Sequence, residues 1–449
     1  MLLISFWIGL RKGAKDSTDW MSAKKEMGLL ITTASIIATM VGGALFVVVV
    51  VMGYENGIVG IYIGLAYAFG LFALGLFSKK IIALLNESQS ETLFHFVAKR
   101  LGRNVGRAYA IVSVVLFTLA VAGQILAMRH YFIGTPGIGQ AESALWAAII
   151  MTLVVVIIYI FRGGLKKDMI SDVVQLIYMA VGLGLIIPYI WGLPTRDILG
   201  HLDSRLYTVG AYGPVFLIGA LLMIVPMLLV RADLWQRIRA AKSPEIAKWS
   251  FYISAPIVAL SYCFFTYLGM LARGLGVESG TNLIVGILTP ERTGGVQPWI
   301  ISGLSIAFVG AVISTLDSLL NMTSIAFVRM TNPGEEQAES MTPLKKLKIA
   351  SIVIVVLAII LLIWFSNVVD VFVAAVSFVM VIAPPILLIL FGYQPNKRGA
   401  FYSIILGSIV LVIAWFLIPK NAFVPAVIMG WAVYFTIVLA ERRKTKLLG

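Results

Sequence analysis

Apolar residues run along this chain in blocks, and polar residues gather between them. Most blocks are long enough to cross a bilayer core as a helix. Thirteen segments can be drawn, at about 1–10, 28–53, 57–78, 104–128, 142–161, 168–191, 213–230, 249–272, 299–328, 349–366, 368–392, 400–418 and 422–440. The runs are continuous rather than alternating, so they predict helices and not the strands of a barrel. No hydrophilic stretch is long enough for a soluble domain, which predicts a single membrane domain over residues 1–449. The segment at 1–10 is too short to span unaided, and it is expected to be a truncated first helix.

Composition agrees with this pattern. Hydrophobic residues make up 60% of the chain and charged ones 12%, whereas a soluble domain carries roughly 25% charged residues. The loops then supply an orientation. Of the 35 Lys and Arg, 29 fall after segments 1, 3, 5, 7, 9 and 11 or in the tail. Only Arg129, Arg196, Arg205, Arg273, Arg292 and Lys420 lie in the alternate loops. Basic residues concentrate on the cytoplasmic side. The N-terminus is therefore expected outside and the C-terminus inside, in the cell membrane. The same distribution accounts for the net charge of +14 without a nucleic-acid partner. Cys263 is the single cysteine, and no HExxH, CxxC or Walker-type pattern occurs, so nothing points to an enzyme.

Two pieces between spans stand out. Residues 88–102 have helical spacing of Leu93, Phe94 and Val97, with Ser88 as N-cap and Gly102 as stop, and predict an amphipathic helix on the cytoplasmic face. Residues 274–298, rich in Gly, Thr and Pro, read equally as a lid over the outer vestibule or as a plain connector.

Candidate chemistry lies where the apolar runs are interrupted. Gly42-Gly43 breaks segment 2. One reading is close packing of helices through small residues. The other is an unwound turn whose freed carbonyls coordinate a cation. Segment 7 carries Gly219 and Pro226, so it too can be broken. Segments 2–6 and 7–11 form two groups of five, which an odd count relates by inversion. In segment 9, Ala311, Ser314, Thr315 and Ser318 share one helical face, and Asp317 sits mid-span, where a carboxylate is expensive and usually functional. Asp172 and Gln175 lie just inside the edge of segment 6. Asp172 either snorkels to the interface or faces the hydroxyl stripe, and Asp168, beside the lysines, reads as a surface residue. No Arg or Lys is evident at membrane depth, Arg107 lying at the very start of its segment, so none is expected to meet a solute carboxylate.

These residues together resemble the sodium:solute symporter family. The likeness is carried by KDSTDWMSAKKEMG, ATMVGGALF with GYENG, SETLFHFVAKRLG, RGGLKKDMISDVVQ, DLWQRIRAAKSPE, ISTLDSLLNMTS and VMVIAPPILL, in family order. SETLFHFVAKRLG departs most, with Phe94 and His95 in place of an acidic–aromatic pair. The resemblance implies an all-α membrane protein with a 5+5 inverted-repeat, LeuT-like core over about 28–191 and 213–392, one helix before it and two after. It implies a sodium site from the carbonyls of Ile37, Met40 and Ala311 and the hydroxyls of Ser314 and Thr315. A second cation site, found in some members, maps to Asp172, Ser314, Asp317 and Ser318. The solute cavity is expected beside Thr39 and near Gln124.

The expected function is secondary active symport, sodium carrying a small organic solute inward. Proton coupling through Asp172 or Asp317 is a rival, and a membrane-embedded solute sensor is a rival of another class. The apolar character around the break leans away from a densely hydroxylated sugar.

Overall fold

The computed structural model describes residues 20–23, 25–133, 135, 141–162, 164–208, 213–280, 282–293, 296–331, 344–365, 367–418 and 421–448. The expected truncated helix at 1–10 lies outside the described residues.

The described chain is helical. It runs α1 (Leu29–Met40), a π-helical turn (Leu45–Val49), α2 (Val50–Asn56), α3 (Val59–Glu87), α4 (Leu93–Leu101), α5 (Arg103–Phe132), α6 (Glu142–Arg162) and α7 (Leu165–Trp191). A second series follows with α8 (Pro214–Leu229), α9 (Ala232–Ala240), α10 (Pro244–Gly274), α11 (Pro298–Thr331), α12 (Leu344–Leu361) and α13 (Val368–Leu390). Two helices, α14 (Lys397–Leu417) and α15 (Phe423–Leu448), close the chain. Eight of these helices are long and apolar enough to cross a membrane, and ten spans result if each bent pair is one span. The expected thirteen is therefore not reached among the described residues. Large apolar side chains such as Phe69, Leu222, Ile363 and Phe416 point outward, as lipid contact requires.

Local chemistry sets the helix ends. Ser243 caps α10 by accepting from the Ile246 amide, and Pro244 takes the first helical position, where no amide is needed. Asn367 and Asn396 cap α13 and α14 in the same way. Thr92, not Ser88, caps α4, accepting from the His95 amide at 3.3 Å, because Ser88 still belongs to the end of the α3 turn. Gly102 ends α4 with φ of +91°, as expected. The amphipathic α4 buries Leu93, Phe94, Phe96 and Val97, with Phe94 against Tyr109 and Phe96 against Trp235.

Two spans are broken. α1 and the helix from Leu45 to Asn56 meet at 49°, and Ile218–Leu229 and α9 meet at 43°. The first break falls at Gly42-Gly43, where the sequence places it. The second falls at Val230 and Arg231 rather than at Pro226, which sits inside α8. Residues 232–240 are consequently not a loop. They form a buried helical half-span, α9, whose Leu234, Trp235 and Ile238 pack inward.

The two broken spans lie against long partners. Gly60 and Gly64 of α3 let α10 approach closely, and a Cβ at Gly64 would sit 2.3 Å from Tyr262 Cβ. At the end away from the basic loops, an aromatic group closes the packing: Phe46 touches Phe265 and Phe308, and Tyr131 stacks on Phe308 at 3.8 Å. The segment between α10 and α11 forms short helices, and Asn282 from it donates to the Tyr131 carbonyl while Tyr54 donates to the Val277 carbonyl. It therefore folds over the ends of α2 and α5 that lie away from the basic loops.

Candidate transport site

The first break is held against α11. A Cβ on Gly42 would lie 1.9 Å from Thr315 Oγ1, and one on Gly43 would lie 2.3 Å from Val312 Cγ2. Only glycine lets the unwound turn reach α11 this closely. The break and the close packing are thus the same contact.

On α11, Ala311, Ser314, Thr315 and Ser318 are all buried on the face the spacing predicts. Thr315 Oγ1 donates to the Ala311 carbonyl at 3.0 Å. The Ile37 carbonyl accepts from the Val41 amide at 2.7 Å, where α1 ends. Ser314 turns the other way and donates to Asp172. The residues expected to hold sodium therefore lie at the end of α1 and on α11, with Ser314 bonded to a carboxylate rather than aimed at the turn.

Asp172 faces the hydroxyl stripe and not the interface. It accepts from Ser35 of α1 as well as from Ser314. Asp168, expected on the surface, is buried at 3% exposure and accepts from Ser318 at 3.0 Å. One turn of α7 separates the two aspartates, so both face α11. Asp317 completes the group: one oxygen from each of Asp168, Asp172 and Asp317 lies within 4.8 Å of the others. Asp168 Oδ1, Asp317 Oδ2 and the Gln175 amide are buried and have no hydrogen-bond partner among the described residues.

A buried arginine reaches into this group. Arg237 of α9 is 1% exposed and bonds Ser35, Thr39, Ser318 and the Asp233 carbonyl. Its Nη2 lies 3.7 Å from Asp172 Oδ2. The expectation that no basic side chain enters the bundle is thus wrong. Arg231, Asp233 and Arg237 were read as loop because charged residues depress hydropathy even where a helix is buried in protein rather than in lipid. The signal that could have found them is the spacing of Leu234, Trp235 and Ile238, one apolar face of a helix.

Thr39 and Gln124, the expected solute contacts, line one central cavity of about 870 Å³ including its mouth. Tyr67, Tyr109, Phe117, Tyr262 and Phe372 supply much of its wall, and Thr315 and Arg231 reach it too. Thr39 stands between the two regions, since its hydroxyl accepts from Arg237. The cavity lies between both breaks, where LeuT-like transporters carry their cargo.

A model of the Sodium:solute symporter family matches residues 212–407. The resemblance read from the motifs holds. The high-affinity choline transporter 1 of Drosophila melanogaster is 21% identical over 436 residues, covering 91% of this chain and 68% of that one. The protein of the same name from Caenorhabditis elegans is 22% identical, covering 92% and 75%. A solved structure of a sodium-coupled sialic acid symporter, substrate-bound and outward-open, superposes with a TM-score of 0.71 at 18% identity, covering 96% of this chain and 94% of that one. A nucleobase-cation-symport-1 family transporter in a closed conformation superposes at 0.55 and 14% identity, covering 94% and 95%. The fold is LeuT-like. The family and these relatives are transporters, not enzymes, and the chain is a multi-pass membrane protein built as a secondary transporter.

Proposed function

We propose that this chain is a sodium-coupled symporter carrying a small organic solute into the cell. The observation that supports it most is the contact of Thr315 with Gly42, which sets an unwound turn against a helix face of hydroxyls. Oxygens from carbonyls and hydroxyls suit a small hard cation. In this reading sodium sits between α1 and α11, held by the carbonyls of Ile37, Met40 and Ala311 and the hydroxyls of Ser314 and Thr315. The solute sits beside it in the cavity, against Thr39 and Gln124. Ion and solute then stabilise the same conformation, and coupling between them is reciprocal.

Asp172, Asp317 and Ser318 are proposed as a second cation site, joined by Asp168. A proton-coupled reading draws on the same group: three clustered carboxylates, of which one guanidinium contacts only Asp172, need more positive charge, and protons supply it as well as a metal ion does. The orientation proposed is N-terminus outside and C-terminus cytoplasmic, in the cell membrane, with the basic loops inward.

The test is solute counterflow in proteoliposomes, with sodium, potassium or a pH gradient imposed in turn. Uptake driven by inward sodium alone is the expected result. Uptake driven by inward protons at zero sodium would replace sodium with the proton reading.

A further inference from the structure

The cavity wall is mostly aromatic and aliphatic, so its few open polar atoms define what it can hold. Two stand out. Arg231, at the second break, spends Nε and Nη2 on Asp233, at 3.0 and 2.6 Å. Among the described residues its Nη1 has only the Met40 sulfur, at 3.9 Å, and sulfur is a weak acceptor. Gln124 is 1% exposed, and its Oε1 has no hydrogen-bond partner among the described residues. It lies against the first break, 2.9 Å from where a Gly43 Cβ would stand. Each break thus brings one unsatisfied group to the cavity, a donor with positive charge at one and an acceptor at the other.

Asp233 decides the sign. Both its oxygens are held by Arg231, and its side chain is 2% exposed, against 17% for Arg231. A cationic solute reaching the cavity would meet the guanidinium and not the carboxylate. A polyhydroxylated solute would leave several hydroxyls against Phe117, Phe372 and the aliphatic wall, beyond the reach of the Tyr, Ser113 and Thr hydroxyls, which is costly when they are unpaired.

We propose that the solute is a small amphipathic monocarboxylate carrying one N–H or O–H donor, an amino acid or a hydroxy acid with an apolar body. Arg231 Nη1 donates to the carboxylate, Gln124 Oε1 accepts from the donor group, and the apolar body lies among Tyr67, Tyr109, Phe117, Tyr262 and Phe372. This rests on the transport reading above for its site, but not on the choice of coupling ion.

The experiment is thermal stability of the purified full chain in sodium chloride and in potassium chloride. The probes are L-leucine, L-proline, 2-hydroxyisovalerate, their carboxamides, choline and glucose. At least one of the three carboxylates should stabilise the protein while its carboxamide does not. Gln124→Met should weaken that carboxylate by about tenfold, as loss of a buried bond does. The pair Arg231→Gln with Asp233→Asn, which strands no charge, should weaken it by at least as much. A cooperative unfolding transition, retained in both variants, reports that they fold. A variant that loses it is replaced by Arg231→Lys, which keeps the charge and gives up the fork; this too should weaken the carboxylate. If the carboxylate acts equally in potassium, the sodium reading fails and the solute class stands. If choline or glucose stabilises in sodium and no carboxylate does, the solute class fails and the sodium reading stands. Carboxamides as effective as their acids, or no response to any carboxylate, would also overturn the proposal.

Discussion

Arg231 and Arg237 stand within two turns of each other at one broken span, yet their surroundings differ in kind. Arg237 is 1% exposed, and its nitrogens are spread over α1, α7, α11 and its own helix. Arg231 is clamped by one neighbouring carboxylate and keeps a nitrogen toward the cavity. A guanidinium with its donors filled is a tether, and one with a donor left over is a reader. The tether ties both broken spans to α7 and α11 at the end where the basic loops lie. The cavity beyond it remains apolar, with few polar atoms to spare. Charge in this bundle is therefore concentrated around Asp168, Asp172 and Asp317, while Arg231, clamped by Asp233, is the charged side chain that lines the cavity.

Breaking the tether should have the largest effect. Arg237→Gln leaves Asp172, beside Asp168 and Asp317, without its guanidinium contact, and removing one partner of a buried pair costs about 3–5 kcal/mol. The apparent melting temperature in detergent should fall well below that of the parent. Adding Asp172→Asn should recover part of the loss, since one uncompensated charge goes with it. A melting temperature unchanged by Arg237→Gln would mean that the contacts of Arg237 contribute nothing.

The break itself comes next. Gly42→Ala sets a methyl carbon 1.9 Å from Thr315 Oγ1, and the turn must shift away from α11. Sodium should then stabilise the purified protein about tenfold less effectively, the size of one lost bond to a charged group. Thr315→Ala in the same chain opens the space without restoring the hydroxyl. Folding should recover and the sodium response should not. Recovery of both would make Thr315 a packing residue only.

A smaller change is expected from the carboxylates taken singly. Asp317→Asn should lower the number of ions moved per solute, read from the gradient that just halts uptake. Asp172→Asn should slow transport more than it weakens solute binding. An unchanged ratio and rate in both would make the aspartates structural. The smallest effect belongs to Cys263→Ala, a half-buried thiol whose loss should change stability by less than about 1 kcal/mol. In that background Glu55→Cys should react with an impermeant thiol reagent outside intact cells and Lys444→Cys should not. Reversed labelling would invert the topology.

Much of this architecture is legible in the sequence, and the parts that are not share a cause. The long spans α3, α5, α7, α10, α11 and α13 appear as apolar runs, because lipid and protein both demand apolar surfaces there. The hydroxyl face of α11 follows from helical spacing, and the break from a glycine pair. Ala232–Ala240 escaped because a helix buried wholly in protein can carry charge if partners wait for it, and partners from distant segments leave no local trace. Asp168 was misplaced for the same reason: two lysines beside it suggest a surface, while Ser318, 150 residues away, provides its bond. The end of α8 agrees with the segment drawn at 213–230, but the break was sought at Gly219 and Pro226 because these residues mark where a helix can bend, and it falls at Val230 and Arg231 instead.

The central claim is that a sodium ion binds where the α1 break meets the hydroxyls of α11. Equilibrium binding of tracer sodium to the purified protein tests it without knowledge of the solute. The parent should bind tracer saturably, with displacement by unlabelled sodium and not by potassium. Ser314→Ala with Thr315→Ala should weaken that binding by about tenfold or more. Binding of equal affinity in the double variant, or no saturable binding in the parent, would contradict the account.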